Sequence, residues 1–236
     1  MPIIEAMALA KSLGGGLGTA ASIMTSVSDI MAYSGPKNVL LDIGAHRGLV
    51  SSAGLVHGWR EVVAVEPDPE NIVAIKADFA MLLNGRIRPR PQARVIERAV
   101  STESGKMVEL RGVPNSYGQR SIVYRHHYAF PRVSDVETIS FCALMDEVGD
   151  VDYCKIDVEG AEYLFLDGSK EAIDALRRVR YLNLELHGGL QWYSGTPLDG
   201  GEGRPPTHDA LCHTLTGAGF DINPLADGYR GFRSDR

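Results

Sequence analysis

Hydrophobic and polar positions fall into short alternating blocks. The stretch VLLDIGAHRG (39–48) begins with apolar residues that predict a buried strand near 38–43, followed by a tight glycine turn and a helix near 48–58. A second apolar run, EVVAVE (61–66), predicts the next strand. In DPENIVAIKADFAMLLNG (68–85), Ile72, Ile75, Phe79 and Leu82–Leu83 recur on one helical face, and Asn84-Gly85 ends it. RVIERAV (94–100) predicts strand three, and TESGKMVEL (102–110) a turn and a further strand. TISFCALMDEVG (138–149) predicts a strand and a short helix, VDYCKID (151–157) strand four, and VEGAEYLFLDG (158–168) the start of a helix. SKEAIDALRRV (169–179) follows as a helix and RYLNLELH (180–187) as strand five. THDALCHTLTGAGF (207–220) predicts a helix capped by Thr207, and DINPLADGYRGFRS (221–234) a terminal strand pair.

Strands separated by helices predict an α/β fold with a mostly parallel sheet and helices on both faces. Residues 1–33 predict two helices around a glycine break, and about 37–236 the core, within one domain spanning 1–236. The glycine run in SLGGGLGTA (12–20) lacks the lysine and hydroxyl ending of a phosphate loop and suits a hinge. Two segments have a different texture. Residues 112–135 are rich in aromatic, basic and turn residues, and 188–206 are rich in glycine around Trp192 and Tyr193. Long loops in a compact domain usually have a function, and both are expected to cover a substrate. Tyr124, His126, His127 and Tyr128 could bind hydroxyls, and Arg120, Arg125 and Arg132 could recognise a carboxylate or phosphate. The basic run GRIRPRPQAR (85–94) reads as a solvated connection.

Composition narrows the function. Hydrophobic residues make up 44% and charged residues 23% of the 236 positions, as in an ordinary globular protein. The formal net charge of −6 argues against bulk attraction to nucleic acid, and the basic residues form no continuous stripe. No run reaches the length of a membrane span, and the N-terminus lacks the basic start of a signal peptide. Cys142, Cys154 and Cys212 match no zinc spacing and no disulfide framework, which fits a cytoplasmic setting.

In an open α/β sheet the C-terminal strand ends converge on one crevice. That places Asp42, Glu66, Asp157 and the pair Glu185 and His187 near one another. Glu66, followed by Pro67, can accept hydrogen bonds from both hydroxyls of a ribose. Gly44 and Gly48 let the backbone approach a ligand, and His46 between them can bond to a cofactor or shape the turn. The dinucleotide fingerprint needs a middle glycine that Gly44-Ala-His-Arg-Gly48 lacks, and Asp42 stands two residues ahead. An acid there suits a ligand with a positive amino group and no phosphate, such as S-adenosylmethionine. Glu159 and Glu162 share a face if the helix after strand four has already begun. His187 can accept a hydroxyl proton near neutral pH, with Glu185 to orient it. Asp157 and Glu185 could instead hold Mg2+ through oxygen ligands.

VLLDIGAHRG, VVAVEPDPEN, RAVSTESG and YCKIDVEGAE together resemble the FkbM-type family of S-adenosylmethionine-dependent methyltransferases, over about 38–187. The resemblance implies a Rossmann-like class I methyltransferase with a seven-stranded sheet, and O-methylation of a sugar or glycosylated natural product. It implies that the Asp42–Gly48 loop faces the methionine part of the donor and that Glu66 holds the ribose. Ala99 to Ser101 would lie beside the adenine, and Asp157 would face the methyl-transfer site. His46 departs from the asparagine common in the family, although either residue can hydrogen-bond. Rival readings are a methyltransferase of a polyketide, lipid-like or peptide substrate, a nicotinamide oxidoreductase, and a non-catalytic binding protein with the same sheet. A homo-oligomer is compatible with all of them.

Overall fold

The computed structural model describes residues 17–84, 90–112, 120–123, 131–186, 208–225 and 228–232. Helix α1 (Leu17–Ala32) leads into strand β1 (Val39–Ile43), helix α2 (Leu49–Val56), strand β2 (Glu61–Val65), helix α3 (Pro69–Asn84) and strand β3 (Gln92–Ile96). Four strands follow: β4 (Ala99–Ser101), β5 (Met107–Gly112), β6 (Arg120–Ser121) and β7 (Arg132–Ser140). The chain continues through α4 (Phe141–Val148), β8 (Val151–Ile156), α5 (Glu162–Phe165), α6 (Lys170–Leu176) and β9 (Val179–Glu185). It ends in α7 (His208–Gly217), β10 (Asp221–Leu225) and β11 (Gly228–Phe232).

A seven-stranded sheet in the order β10-β11-β9-β8-β1-β2-β3 forms the frame. Neighbours from β9 through β3 are parallel, and β11 runs antiparallel to both β9 and β10. Strand residues alternate between the two faces. Leu41, Ile43, Val63, Val65, Cys154, Ile156, Leu182 and Leu184 pack in one cluster with residues of α4, α5, α6 and α7. Leu40, Val62, Ala64 and Tyr153 pack in another with residues of α1, α2 and α3. Helices therefore cover both faces, as the periodicity predicts. The helices begin where local chemistry allows. The Ser140 hydroxyl accepts from Ala143 N at 3.2 Å to cap α4, and Ser169 does the same for α6 from Ala172 N at 3.2 Å.

Three sequence expectations need correction. Strand three is broken: β3 ends at Ile96, and Ala99–Ser101 pairs instead with Thr138–Ser140 of β7. The break falls where β2 ends: the last β2–β3 pair is Val65–Ile96, and Glu66 N donates to Ile96 O at 3.1 Å. β4 belongs to a second sheet, ordered β4-β7-β5-β6, which the sequence pattern did not announce. Arg132–Asp135, read as part of a loop, is the start of β7. After β8 the helix is delayed: Glu159 has φ 54° and Gly160 φ 104°, so α5 starts only at Glu162. Glu159 and Glu162 therefore do not share a helical face. Cys154 is a buried free thiol, as expected. The glycine run 14–16, Thr207 and the loop 188–206 lie outside the described residues. Among the described residues no helix is long and apolar enough to cross a membrane.

Candidate functional site

The C-terminal ends of β1, β2 and β8 meet at one rim. Period-two alternation along β1 and β8 turns Asp42 and Lys155 to the same face, and register sets them side by side, with Asn183 of β9 next in the row. Asp42 is fully buried. Its Oδ2 accepts from Ser51 Oγ at 2.6 Å, and its Oδ1 lies 3.8 Å from Lys155 Nζ. That Oδ1 has no hydrogen-bond partner among the described residues. Burial raises the pKa of Asp42 above its ordinary value, and Lys155 and Ser51 oppose the rise.

Lys155 joins the acids of this corner. It is 4% exposed. Its Nζ donates to Asp157 Oδ2 at 2.8 Å and reaches Gly44 O at 3.5 Å. Burial alone would lower its pKa, but Asp157, Asp42 and, more weakly, Glu185 outweigh that and hold it above the usual lysine value. Sequence pattern alone assigns Lys155 no role. Two-residue spacing within a strand pattern was the available signal, because it puts Lys155 and Asp157 on one face.

The turn after β1 is shaped by close approach. Gly44 has φ 75°, and a Cβ there would stand 1.7 Å from the backbone oxygen of Asp157. Only glycine fits without moving that strand end. Gly44 N and Ala45 N both donate to Val65 O, at 2.9 and 3.1 Å, and Asp157 N donates to Ile43 O at 3.0 Å. The loops after β1, β2 and β8 are thus sewn together. His46, with φ 53°, is a non-glycine residue in the left-handed region. Such strain clusters at functional sites. Glu159 on the β8 loop has the same conformation. Gly48, at φ 78°, occupies the N-cap of α2 without a side-chain cap.

Glu66 sits where β2 ends and is 5% exposed. Its Oε2 accepts from His46 N at 2.7 Å, and its Oε1 accepts from Asp68 N at 2.9 Å and Asn71 Nδ2 at 3.4 Å. Burial pushes its pKa up to about 7, opposed by those hydrogen bonds. Burial, then Lys155, pulls His46 down to about 4, so its imidazole is neutral near pH 7. His46 Nε2 is buried and has no hydrogen-bond partner among the described residues.

The structure therefore brings Asp42, Gly44, His46, Gly48, Glu66 and Asp157 to one rim. Glu185 ends β9, one position beyond the last β8–β9 pair, Ile156–Leu184, and its charge acts on Lys155. Pro67 follows Glu66 in the turn to α3. Ala99 packs with Leu110 and Val136 of the second sheet, and Ser101 pairs with Ser140. His187, Trp192, Tyr193, Tyr124, Arg125, His126, His127 and Tyr128 lie outside the described residues. Arg132 pairs with Asp135 on the surface. Arg120, whose type suits a carboxylate or phosphate, a solvated face or a subunit contact, is largely buried against Asp68 and Glu70. Among the described residues no group of three or more His, Cys, Asp or Glu could hold a metal ion.

The sheet order and the acid-lined rim without a pyrophosphate-sized glycine fingerprint define a Rossmann-like α/β protein of the methyltransferase kind. Residues 42–222 match the model of the methyltransferase FkbM domain, and the chain belongs to that family. No curated protein matches it. The chain also has distant similarity to solved structures. The methyltransferase FkbM from Methylobacillus flagellatus KT is 16% identical, with 83% of this chain and 43% of that chain covered at a TM-score of 0.47. The cyclopropane synthase MmaA2 from Mycobacterium tuberculosis is 13% identical, covering 87% and 62% at 0.45. The precorrin-6y C5,15-methyltransferase from Geobacter metallireducens GS-15 is 13% identical, covering 90% and 87% at 0.44. The present chain spans less than half the length of the Methylobacillus protein.

Proposed function

We propose that the chain is an S-adenosylmethionine-dependent O-methyltransferase that acts on a hydroxyl of a sugar or glycosylated natural product, with residues 1–236 as one catalytic domain. The observation that carries this reading is the gathering of Asp42, Glu66 and Asp157 at one rim, with Lys155 as the built-in counter-charge of Asp42 and Asp157. A carboxylate has about four acceptor positions. Glu66 uses three of them within the protein, which leaves one for a ribose hydroxyl. Asp42 Oδ1 and His46 Nε2 are buried polar atoms whose hydrogen-bonding capacity is unused, as expected of a pocket that receives a polar ligand.

In this reading the Asp42–Gly48 loop takes the methionine end of the donor, Glu66 and Pro67 the ribose side, and Ala99 and Ser101 the adenine side. The donor supplies a methyl group already activated on a sulfonium. What remains for the protein is alignment and removal of a proton. Asp157 lines the transfer position and is held there by Lys155. His187 receives the acceptor proton and Glu185 orients it. If Mg2+ bound, Asp157 and Glu185 would be the residues to hold it, and it would supply a lower hydroxyl pKa. In both cases a nucleophilic oxygen forms a C–O bond as the C–S bond breaks, and the proton leaves to the base or to water.

The test is transfer of a labelled methyl group to a panel of sugars and glycosides, with and without a chelator. Product in the chelated sample removes an obligatory metal. Label on lipid-like, polyketide or peptide acceptors alone would move the substrate class. Donor binding without transfer to any acceptor would favour a binding protein. His187→Ala should lower turnover about 100-fold or more while donor affinity holds. Unchanged turnover would remove His187 from the mechanism.

A further inference from the structure

Arg120 stands on β6, the outermost strand of the second sheet, yet its side chain is 9% exposed because it reaches across to the main sheet. Its guanidinium pairs with Asp68, whose side chain is 1% exposed, and donates to Glu70 Oε2 at 2.8 Å. Asp68 is the residue whose amide donates to Glu66 Oε1 at 2.9 Å, while its own Oδ1 accepts from Glu70 N at 3.0 Å. Glu66 in turn holds the His46 amide at 2.7 Å. A continuous chain of contacts thus runs from the second sheet through the β2 turn to the β1 loop. Asp68 also places a like charge beside Glu66. Without a cation, two buried carboxylates would share one turn and repel each other. The fork of an arginine can serve two carboxylates at once, which a lysine does less well.

We propose that Arg120 is a positioning residue of the donor pocket: by neutralising Asp68 and Glu70 it fixes the β2 turn, so that Glu66 presents its remaining acceptor position to a ribose hydroxyl of the donor. This rests on the methyltransferase reading. It assigns the second sheet a part in donor binding that the main sheet cannot supply. It also explains why an arginine in a segment rich in basic residues is buried rather than offered to substrate. The interaction acts through Glu66, so its effect must disappear when the ligand has no ribose hydroxyls.

The experiment measures binding of S-adenosylhomocysteine and of its 2′,3′-dideoxy analogue by calorimetry. Wild type, Arg120→Met, Arg120→Lys and the double variant Arg120→Met with Asp68→Asn are compared. The expected result is about a tenfold or greater loss for S-adenosylhomocysteine in Arg120→Met, and little further loss for the dideoxy analogue. Arg120→Lys should fall between, and the double variant should recover part of the loss because no uncompensated acid remains. Equal losses for both ligands, or none, would overturn the proposal. If Arg120→Met does not fold, Arg120→Lys and the double variant carry the same comparison. Hydrogen exchange of the His46 and Asp68 amides in the ligand-free protein gives a second readout. Faster exchange at both in Arg120→Lys supports the positioning role, and unchanged exchange contradicts it. Failure of wild type to bind S-adenosylhomocysteine would instead strike the donor reading, with the exchange data still deciding whether Arg120 positions Glu66.

Discussion

Asp42 and Glu66 stand at the ends of adjacent strands and are both buried, yet they are stabilised by different means. Asp42 relies on side chains: the Ser51 hydroxyl and the Lys155 ammonium. Glu66 relies mainly on the backbone, with the amides of His46 and Asp68 as its nearest donors. The difference matters because an ammonium cancels a charge, whereas amides only solvate it. The Asp42 corner is an ion cluster that also holds Asp157 and the Gly44 carbonyl in place. The Glu66 corner is a carboxylate whose ionisation falls near neutrality. One corner is built for fixed geometry, the other for a charge that a ligand or pH can change.

The sharpest way to break this contrast is to remove the ammonium. Lys155→Met leaves Asp42 and Asp157 without their cation and should cost about 3–5 kcal/mol in denaturant unfolding. A loss below about 1 kcal/mol would mean that the cluster is not the anchor of that corner. Ser51→Ala removes one hydrogen bond to a buried charged group and should cost about 1.5–3 kcal/mol by the same measurement. Asn71→Ala removes the long contact to Glu66, at 3.4 Å, and should cost about 0.5–1.5 kcal/mol.

The pH dependence sharpens the other half of the comparison. The Glu66 pKa is raised from 4.5 to about 7 on folding, so between those values the folded state binds more protons and stability falls as pH rises. The His46 pKa is lowered from 6.5 to about 4, so in that window the unfolded state binds more protons and stability rises with pH. The two slopes oppose each other over most of the range. His46→Asn, which tolerates the left-handed backbone, should expose the falling slope, and Glu66→Gln the rising one. Asp42, also raised, adds to the falling slope in both variants alike. Thermal or denaturant midpoints from pH 4 to 8 check this, and parallel curves for the two variants would contradict it.

Much of the main sheet was legible in the sequence because each strand carries its own apolar pattern and each helix its own face. Leu40, Leu41 and Ile43, or Ile72, Ile75 and Phe79, need no distant partner to be recognised. The second sheet was not legible for the opposite reason. β4 is three residues long and becomes a strand only by pairing with Thr138–Ser140, far along the chain. The burial of Arg120 was hidden likewise, since Asp68 and Glu70 lie some fifty positions away. Of the site, the acids were found by their places at strand ends. Lys155 was passed over because a lysine in an acidic cluster reads as surface charge until the strand register is known. The delayed start of α5 came from the backbone at Glu159 and Gly160, which a motif of charged residues does not reveal.

The central claim, that the acids of this rim receive S-adenosylmethionine, is tested most directly by calorimetric titration of wild type and Glu66→Ala with S-adenosylmethionine and with NAD. The account predicts that wild type binds S-adenosylmethionine and not NAD, and that Glu66→Ala weakens the former about tenfold or more. Binding of NAD alone, or full affinity for S-adenosylmethionine without the Glu66 carboxylate, would contradict it.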